Sequence, residues 1–358
     1  MGIRGEGATM KPVDSVAIAK LVGVSRSTVS KVINNYPNIS ADTRSRILKV
    51  IEEHGYSPNL SARILAGKTT ETLGFFFFGR DQFSLDPLVN MMIATVIESA
   101  ARAGYHILTY IISDAGKASS IAMVKDVFHQ RRIDAGIILG ARNQEPVVED
   151  LIAKGYVLGV FDQQLPGHHE ANRVVSNLDD ESTARRAVEY LYGLGHRTLG
   201  ILNGDVRRNA GAAKRDGFTG AARALGMECR PEWTFASDFS ERGSYEALRA
   251  RLSELKTHLP TAFAAANDPV AFGAIRAFQE AGLKVPEDVS VIGIDDHPLS
   301  PFVQPALTTF SYDFHAVFQD LIQRVVSVLG DDDSVPRVKS FPATLKERQS
   351  CRTAGVLP

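Results

Sequence analysis

The chain has 358 residues, is 44% hydrophobic and 23% charged, and carries a formal net charge of −1. This length exceeds the usual single-core range and no apolar run is long enough to span a bilayer, so more than one soluble domain is expected. The two cysteines, Cys229 and Cys351, are far apart and lack Cys-x-x-Cys spacing, which argues against a disulfide framework or a structural zinc site.

Residues 1–9 read as a disordered lead, because Met10-Lys11-Pro12-Val13 has the look of a natural beginning. With no signal-like start, the expected location is the cytoplasm. From Asp14 the pattern turns helical. Asp14 is a candidate N-cap, Ile18, Leu21 and Val22 recur at helical spacing, and Gly23 gives the freedom for a tight turn. A second helix starts near Ser25, with Val29, Val32 and Ile33 inward and Arg26, Ser27, Thr28, Ser30 and Lys31 outward. Ser40 caps a predicted third helix that turns Ile47, Leu48 and Ile51 inward and stops at Gly55, ahead of Pro58. A polar, basic helix face held on a small apolar core is what insertion into the major groove of double-stranded DNA requires. Residues 1–70 hold ten Lys or Arg and five Asp or Glu, a balance of +5 that leaves −6 for the rest. The basic charge is thus gathered in the segment that would meet phosphate. The competing reading is a three-helix surface element with an ordinary solvated face.

After Gly67 apolar runs alternate with helical stretches. Predicted strands are Leu73 to Phe78, His106 to Ile112, Ala135 to Leu139, Val157 to Phe161, Thr198 to Leu202, Ala262 to Ala266 and Val289 to Ile294. Helices are predicted at Pro87 to Ala103, Glu181 to Leu194, Ala212 to Leu225 and Pro269 to Ala281. Continuous apolar strands with helical crossovers imply parallel sheets covered on both faces, and the repetition implies two similar lobes. Ligands on such sheets sit beyond the carboxyl ends of the strands. The residues there are Arg80, Asp81, Phe83, Arg142, Asn143, Asp162, Asn267, Asp268, Asp295 and Asp296. Strand-end and helix capping is the alternative role for each. His168-His169-Glu170 reads as a solvated loop and not a metal site, since adjacent histidines in an extended loop point opposite ways.

The motif Ile18-Ala19-Lys20-Leu21-Val22-Gly23-Val24-Ser25-x-x-Thr28-Val29-Ser30-Lys31-Val32-Ile33-Asn34 resembles the signature of the lactose-repressor (LacI/GalR) family of bacterial transcription regulators. The likeness continues through Tyr56-Ser57-Pro58-Asn59 and Ala62-Arg63-x-Leu65-Ala66 to Glu347-Arg348-Gln349-Ser350-Cys351. It implies a helix-turn-helix DNA-binding domain at 10–58, a hinge helix and linker at 59–70, and an effector-binding and dimerisation domain at 71–358. That last domain would be a periplasmic-binding-protein-like clamp, its first lobe about 71–171 and 305–335, its second about 172–304 and 336–358. Arg26, Ser27 and Lys31, with Thr28, Ser30 and Asn34 on the same element, would meet the major groove. Asn59, Ala62, Arg63 and Leu65 would serve the hinge, with Leu65 a wedge in the minor groove. Ordering eight hinge residues costs on the order of 10 kcal/mol, so DNA and a second subunit must offset it. A plain linker with Leu65 buried between domains is the other reading.

The same resemblance places Asn267 and Asp295 against the effector, Phe239 as an aromatic stacking on it, and Lys214 where many sugar-binding relatives carry Arg. Together with Arg80, Phe83, Arg142 and Asp162 they form the expected site for a sugar-like ligand, with no cofactor. The chain is therefore expected to be a homodimeric repressor on a palindromic operator. An α/β enzyme fused to a DNA-binding module is the alternative. Against it, Phe78-Gly79-Arg80-Asp81 lacks the Gly-x-Gly-x-x-Gly fingerprint and Asp295-Asp296 are poorly placed as an opposed acid and base. An architectural DNA-bending protein would need only the first 67 residues.

Overall fold

Asp14 starts the first helix, its carboxylate accepting the N–H groups of Val16 at 3.0 Å and Ala17 at 2.8 Å. The computed structural model describes residues 13–33, 36–56, 69–79, 86–114, 116–167, 169–255 and 258–355. The expected lead, the hinge residues Asn59, Ala62, Arg63 and Leu65, and Asn34, Arg80 and Phe83 lie outside them. The chain divides into two units, Met1–Thr70 and Glu71–Pro358.

The first unit contains α1 (Ser15–Val22), α2 (Arg26–Ile33) and α3 (Ala41–Glu53). Gly23 closes α1 at φ 75°, a left-handed turn that glycine adopts without strain. Ser25 and Ser40 cap the next two helices through Thr28 N–H at 3.1 Å and Thr43 N–H at 3.3 Å. Ile18, Val29, Val32 and Ile47 form the core, each such side chain contributing about 1.5–3 kcal/mol. Two expected core residues face solvent: Leu21 is 57% and Leu48 is 48% exposed. The α1 stripe runs through 18, 19 and 22, and that of α3 through 47, 50 and 51, so Leu21 and Leu48 fall off its edges at 100° per residue.

The second unit is built on two six-stranded sheets. The first lobe holds β1 (Thr72–Phe78), β2 (His106–Ile112), β3 (Ala135–Leu139), β4 (Leu158–Phe161), β5 (Arg173–Leu178) and β11 (Val338–Phe341), in the order β11-β5-β4-β3-β1-β2. All its pairings are parallel. Helices α4 (Pro87–Arg102), α5 (Ala118–His129), α6 (Pro146–Ala153) and α11 (Phe314–Leu329) cover it. The second lobe holds β6 (Leu199–Asn203), β7 (Thr234–Ala236), β8 (Ala262–Ala265), β9 (Ser290–Asp295), β10 (Thr308–Ser311) and β12 (Thr344–Lys346), in the order β12-β10-β9-β8-β6-β7. Only β12 runs antiparallel, against β10. Its helices are α7 (Asp180–Gly193), α8 (Asn209–Ala224), α9 (Glu241–Leu255) and α10 (Asp268–Glu280). All seven residues of β1 are buried, because helices cover both faces of a parallel sheet. One apolar cluster continues through both lobes, from Phe75 and Val96 to Ile201 and Phe218.

The chain passes between the sheets three times, after Leu178, after Ser311 and after Phe341. These crossings come later than the expected 172, 304 and 336: the first and third because β5 and β11 pair as the far strands of the first sheet, the second because β10 pairs with β9 and β12 in the second. The crossings are tied to one another. Tyr312 Oη lies 3.1 Å from Asp180 Oδ1 and 2.9 Å from Thr183 Oγ1, while Arg186 donates to the Ala343 carbonyl at 2.7 Å.

Candidate functional site

Three polar turns converge beyond the strand ends. Asp162 follows β4 at φ 63°, Phe239 follows β7 at φ 67°, and Asp295 closes β9 at φ 112°. Left-handed backbone at residues other than glycine costs of order 1–3 kcal/mol and gathers at functional sites. The Phe239 ring rests on Gly204, where a Cβ would approach it to 2.1 Å. Asn267 fixes that turn from below: its Nδ2 donates to the Phe239 carbonyl at 3.1 Å and its Oδ1 caps α10 through Val270 N–H at 3.0 Å.

Lys214 points inward from α8 with its side chain 3% exposed. Its Nζ is 3.2 Å from Asp180 Oδ1 and 3.8 Å from Asp295 Oδ1. Burial disfavours the ammonium, but Asp180 and Asp295 outweigh it and hold the lysine pKa above its ordinary value. Burial pushes Asp180 up to about 7 and Asp295 up to about 6, against the pull of Lys214. Asp180 Oδ2 is buried without a hydrogen-bond partner.

Two polar links cross from lobe to lobe. Asp162 Oδ1 accepts from Asn209 Nδ2 at 2.7 Å, and its Oδ2 accepts from Ala210 N–H at 3.2 Å, at the first turn of α8. Asp86 caps α4 through Leu88 N–H at 2.8 Å and Val89 N–H at 3.1 Å, and its Oδ1 is 3.3 Å from His297 Nε2. Leu299 N–H donates to His297 Nδ1 at 3.1 Å, which leaves Nε2 as the protonated nitrogen. Burial opposes the Asp86 charge, yet His297 and the Val89 N–H hold its pKa below the usual range. Beneath His297, Asp268 is fully buried and accepts from Ser300 Oγ and Thr309 Oγ1 at 2.5 Å and from His297 N–H at 2.8 Å. These are neutral donors, and burial pushes its pKa up to about 8. A cavity of about 690 Å³ opens beside Asp86, Phe239, Phe272 and His297, and the Lys214 cluster lies outside its lining. The Asp162 link lies beside that cluster, within Coulombic reach of Lys214.

The sequence signature of the bacterial regulatory proteins of the lacI family matches residues 17–59, and that of the periplasmic binding protein-like domain matches residues 188–351. The chain is 30% identical over 292 residues to the HTH-type transcriptional repressor PurR of Pasteurella multocida (strain Pm70), covering 82% of this chain and 84% of that protein. The chain belongs to the lacI family of bacterial regulatory proteins. The NTD biosynthesis operon regulator NtdR of Bacillus subtilis (strain 168) is 28% identical over 335 residues, 93% of this chain and 98% of that one. A solved structure of the Lac repressor bound to ONPG in the repressed state superimposes with a TM-score of 0.77 at 25% identity, over 95% of this chain and all of that one. As a lacI-family member the protein is a DNA-binding transcriptional repressor gated by a small-molecule effector, and not an enzyme.

In this repressor the sequence-predicted residues separate into groups. Asp162, Lys214 and Asp295 come together, and Phe239 and Asn267 form a second pair beside the His297 link. Arg142 is exposed, its charge acting on Glu145. Asp162 and Asn267 have structural work of their own, as cross-lobe link and helix cap. In the first unit, Arg26, Ser27, Ser30 and Lys31 are exposed and Thr28 is half-buried. Arg26 Nε donates back to Ser15 Oγ at 3.1 Å, and Ser25 Oγ holds Ser27 Oγ at 2.7 Å and Thr28 Oγ1 at 2.8 Å. Sequence reasoning missed Asp180, Asn209, Asp86 and His297. The pair Asp86-Pro87 was a readable signal, an N-cap residue before proline at the first helical position.

Proposed function

We propose that the repressor binds a near-palindromic operator as a homodimer in the cytoplasm and that a sugar-like effector occupies the cleft around Lys214, Asp295, Asp180 and Phe239. The observation that carries this reading is the buried Lys214 ion cluster beyond the strand ends, beside the Asp162 link between the lobes. A buried charge cluster adds little to stability compared with apolar packing, so its retention favours a recognition role. Carboxylates and an ammonium offer acceptors and donors to hydroxyls, and the Phe239 ring offers an apolar face to sugar C–H groups. Arg26, Ser27, Thr28, Ser30, Lys31 and Asn34 would meet the major groove. Asn59, Ala62, Arg63 and Leu65 would order as a hinge between two subunits, one of whose contact surfaces would be α4. Two recognition helices related by a two-fold axis read two half-sites. Arg80, Phe83 and Arg142 are proposed as further effector contacts.

Selection of random duplex DNA by the full chain tests the reading. It predicts enrichment of one inverted repeat. Recovery of a single unrepeated half-site would remove the dimer, and recovery of no consensus would remove sequence-specific recognition.

A further inference from the structure

The floor of the cleft holds more acceptors than donors. Three carboxylates, Asp162, Asp180 and Asp295, act on the single buried ammonium of Lys214. Arg208 adds positive charge on the side of Asp162, whose oxygens are already taken by Asn209 and Ala210. Asp295 has Lys214 at 3.8 Å, and among the described residues no group donates a hydrogen bond to its carboxylate. Asp180 is 2% exposed and its Oδ2 has no partner. Asn203 is 4% exposed, donates its amide to the carbonyls of Gly204 and Gly211 in the first turn of α8, and leaves Oδ1 unpaired. Every unmet atom is an acceptor, and the local charge is negative.

Resting on the cleft as the effector site, we propose that the effector carries a protonated amine: it is an amino sugar or aminocyclitol whose ammonium pairs with Asp295 and Asp180 while its hydroxyls serve Asn203 and Lys214. A neutral polyol would satisfy hydrogen bonds and leave the excess negative charge in place. An acidic sugar would add a further like charge to a buried carboxylate cluster. Burial is the main cause of the raised Asp180 and Asp295 pKa values, with like charge from neighbouring carboxylates a smaller contribution.

The test uses the full chain and matched probes: glucosamine, galactosamine and deoxystreptamine, against glucose, galactose and myo-inositol, and against glucuronate and galacturonate. Concentration-dependent rise of the unfolding midpoint gives relative affinity. An amine binds about tenfold or more tighter than its neutral counterpart, the worth of one charge-assisted contact. Asp295→Asn equalises the two, as does Asp180→Asn. Because Asp180 also holds Tyr312, the Asp295 variant decides if the Asp180 variant fails to fold. A neutral or acidic sugar binding as tightly as its amine, or no binding by any amine, overturns the proposal. A neutral sugar that alters operator binding would do so while leaving the regulator reading intact, whereas failure to select any DNA sequence would sink that reading first.

Discussion

Asp162 caps helix α8 from the opposite lobe: its carboxylate takes the Asn209 side-chain amide at 2.7 Å and the Ala210 N–H at 3.2 Å. The residue before α8, Arg208, provides no side-chain cap, so the helix start is completed only when the lobes meet. Free N–H groups and the positive end of the helix dipole both favour that carboxylate. The Asp162 cap therefore ties the first lobe to the first turn of α8, one turn ahead of Lys214.

Asp162→Ala should cost about 0.5–2 kcal/mol, the range for a lost helix cap, and should speed hydrogen exchange at the first turn of α8. Scattering should show a more open second unit. Unchanged protection of Ala210 would mean that the cap is dispensable and that closure is set elsewhere.

The second link separates two roles of one carboxylate. Asp86→Ala removes both the α4 cap and the bond to His297, while Asp86→Asn keeps a cap acceptor for the Leu88 and Val89 N–H groups and removes only the charge that faces His297. The alanine variant should be the less stable by about 0.5–2 kcal/mol, again the worth of a cap. Equal urea midpoints for the two variants would show that the N–H groups of Leu88 and Val89 find other partners.

Burial of the carboxylates fixes the sign of the pH dependence. Asp295, Asp180 and Asp268 are raised to about 6, 7 and 8, above the value of about 4 for an unfolded aspartate. The folded protein therefore binds more protons than the unfolded chain across the window from about pH 4 to about pH 8, and stability falls as pH rises through it. Asp86, held below the usual range, acts in the opposite sense only below about pH 4. The urea midpoint should be higher near pH 5.5 than near pH 8 (both roughly), and Asp268→Asn should flatten the upper part of the curve. A midpoint that climbs toward pH 8 would contradict the assignment.

On the DNA side, Arg26→Ala should change the base preference recovered by selection, since a bidentate base contact is worth about 1–3 kcal/mol of discrimination. Its bond to Ser15 aims the side chain without burying it. An unchanged consensus with uniformly weaker binding would make Arg26 a phosphate contact.

Much of this architecture was legible in the sequence because its signals are local. The 73–78 and 135–139 strands are uninterrupted apolar runs, and Asp14, Gly23 and Ser40 are caps with fixed chemistry. What was not legible depends on distant partners. Helix α8 begins at Asn209 and not at Ala212 because its cap arrives from Asp162, 47 residues earlier in the chain. The first and third crossings moved because β5 and β11 pair across 163 residues of sequence, as in Val175 with Val338. Of the site, Lys214 and Asp295 could be named from the family resemblance, but Asp180 could not. It follows a strand that only the sheet defines, and its importance lies in touching both Lys214 and the crossing residue Tyr312.

The most direct test of effector gating measures binding of the selected operator by the full chain with and without the ligand found in the unfolding screen, in the wild type and in Asp295→Ala. The wild type should change its operator affinity about 5–150-fold, the usual range of allosteric coupling, while the variant keeps its ligand-free affinity and loses the response. A ligand response retained in Asp295→Ala would place the effector outside this cleft.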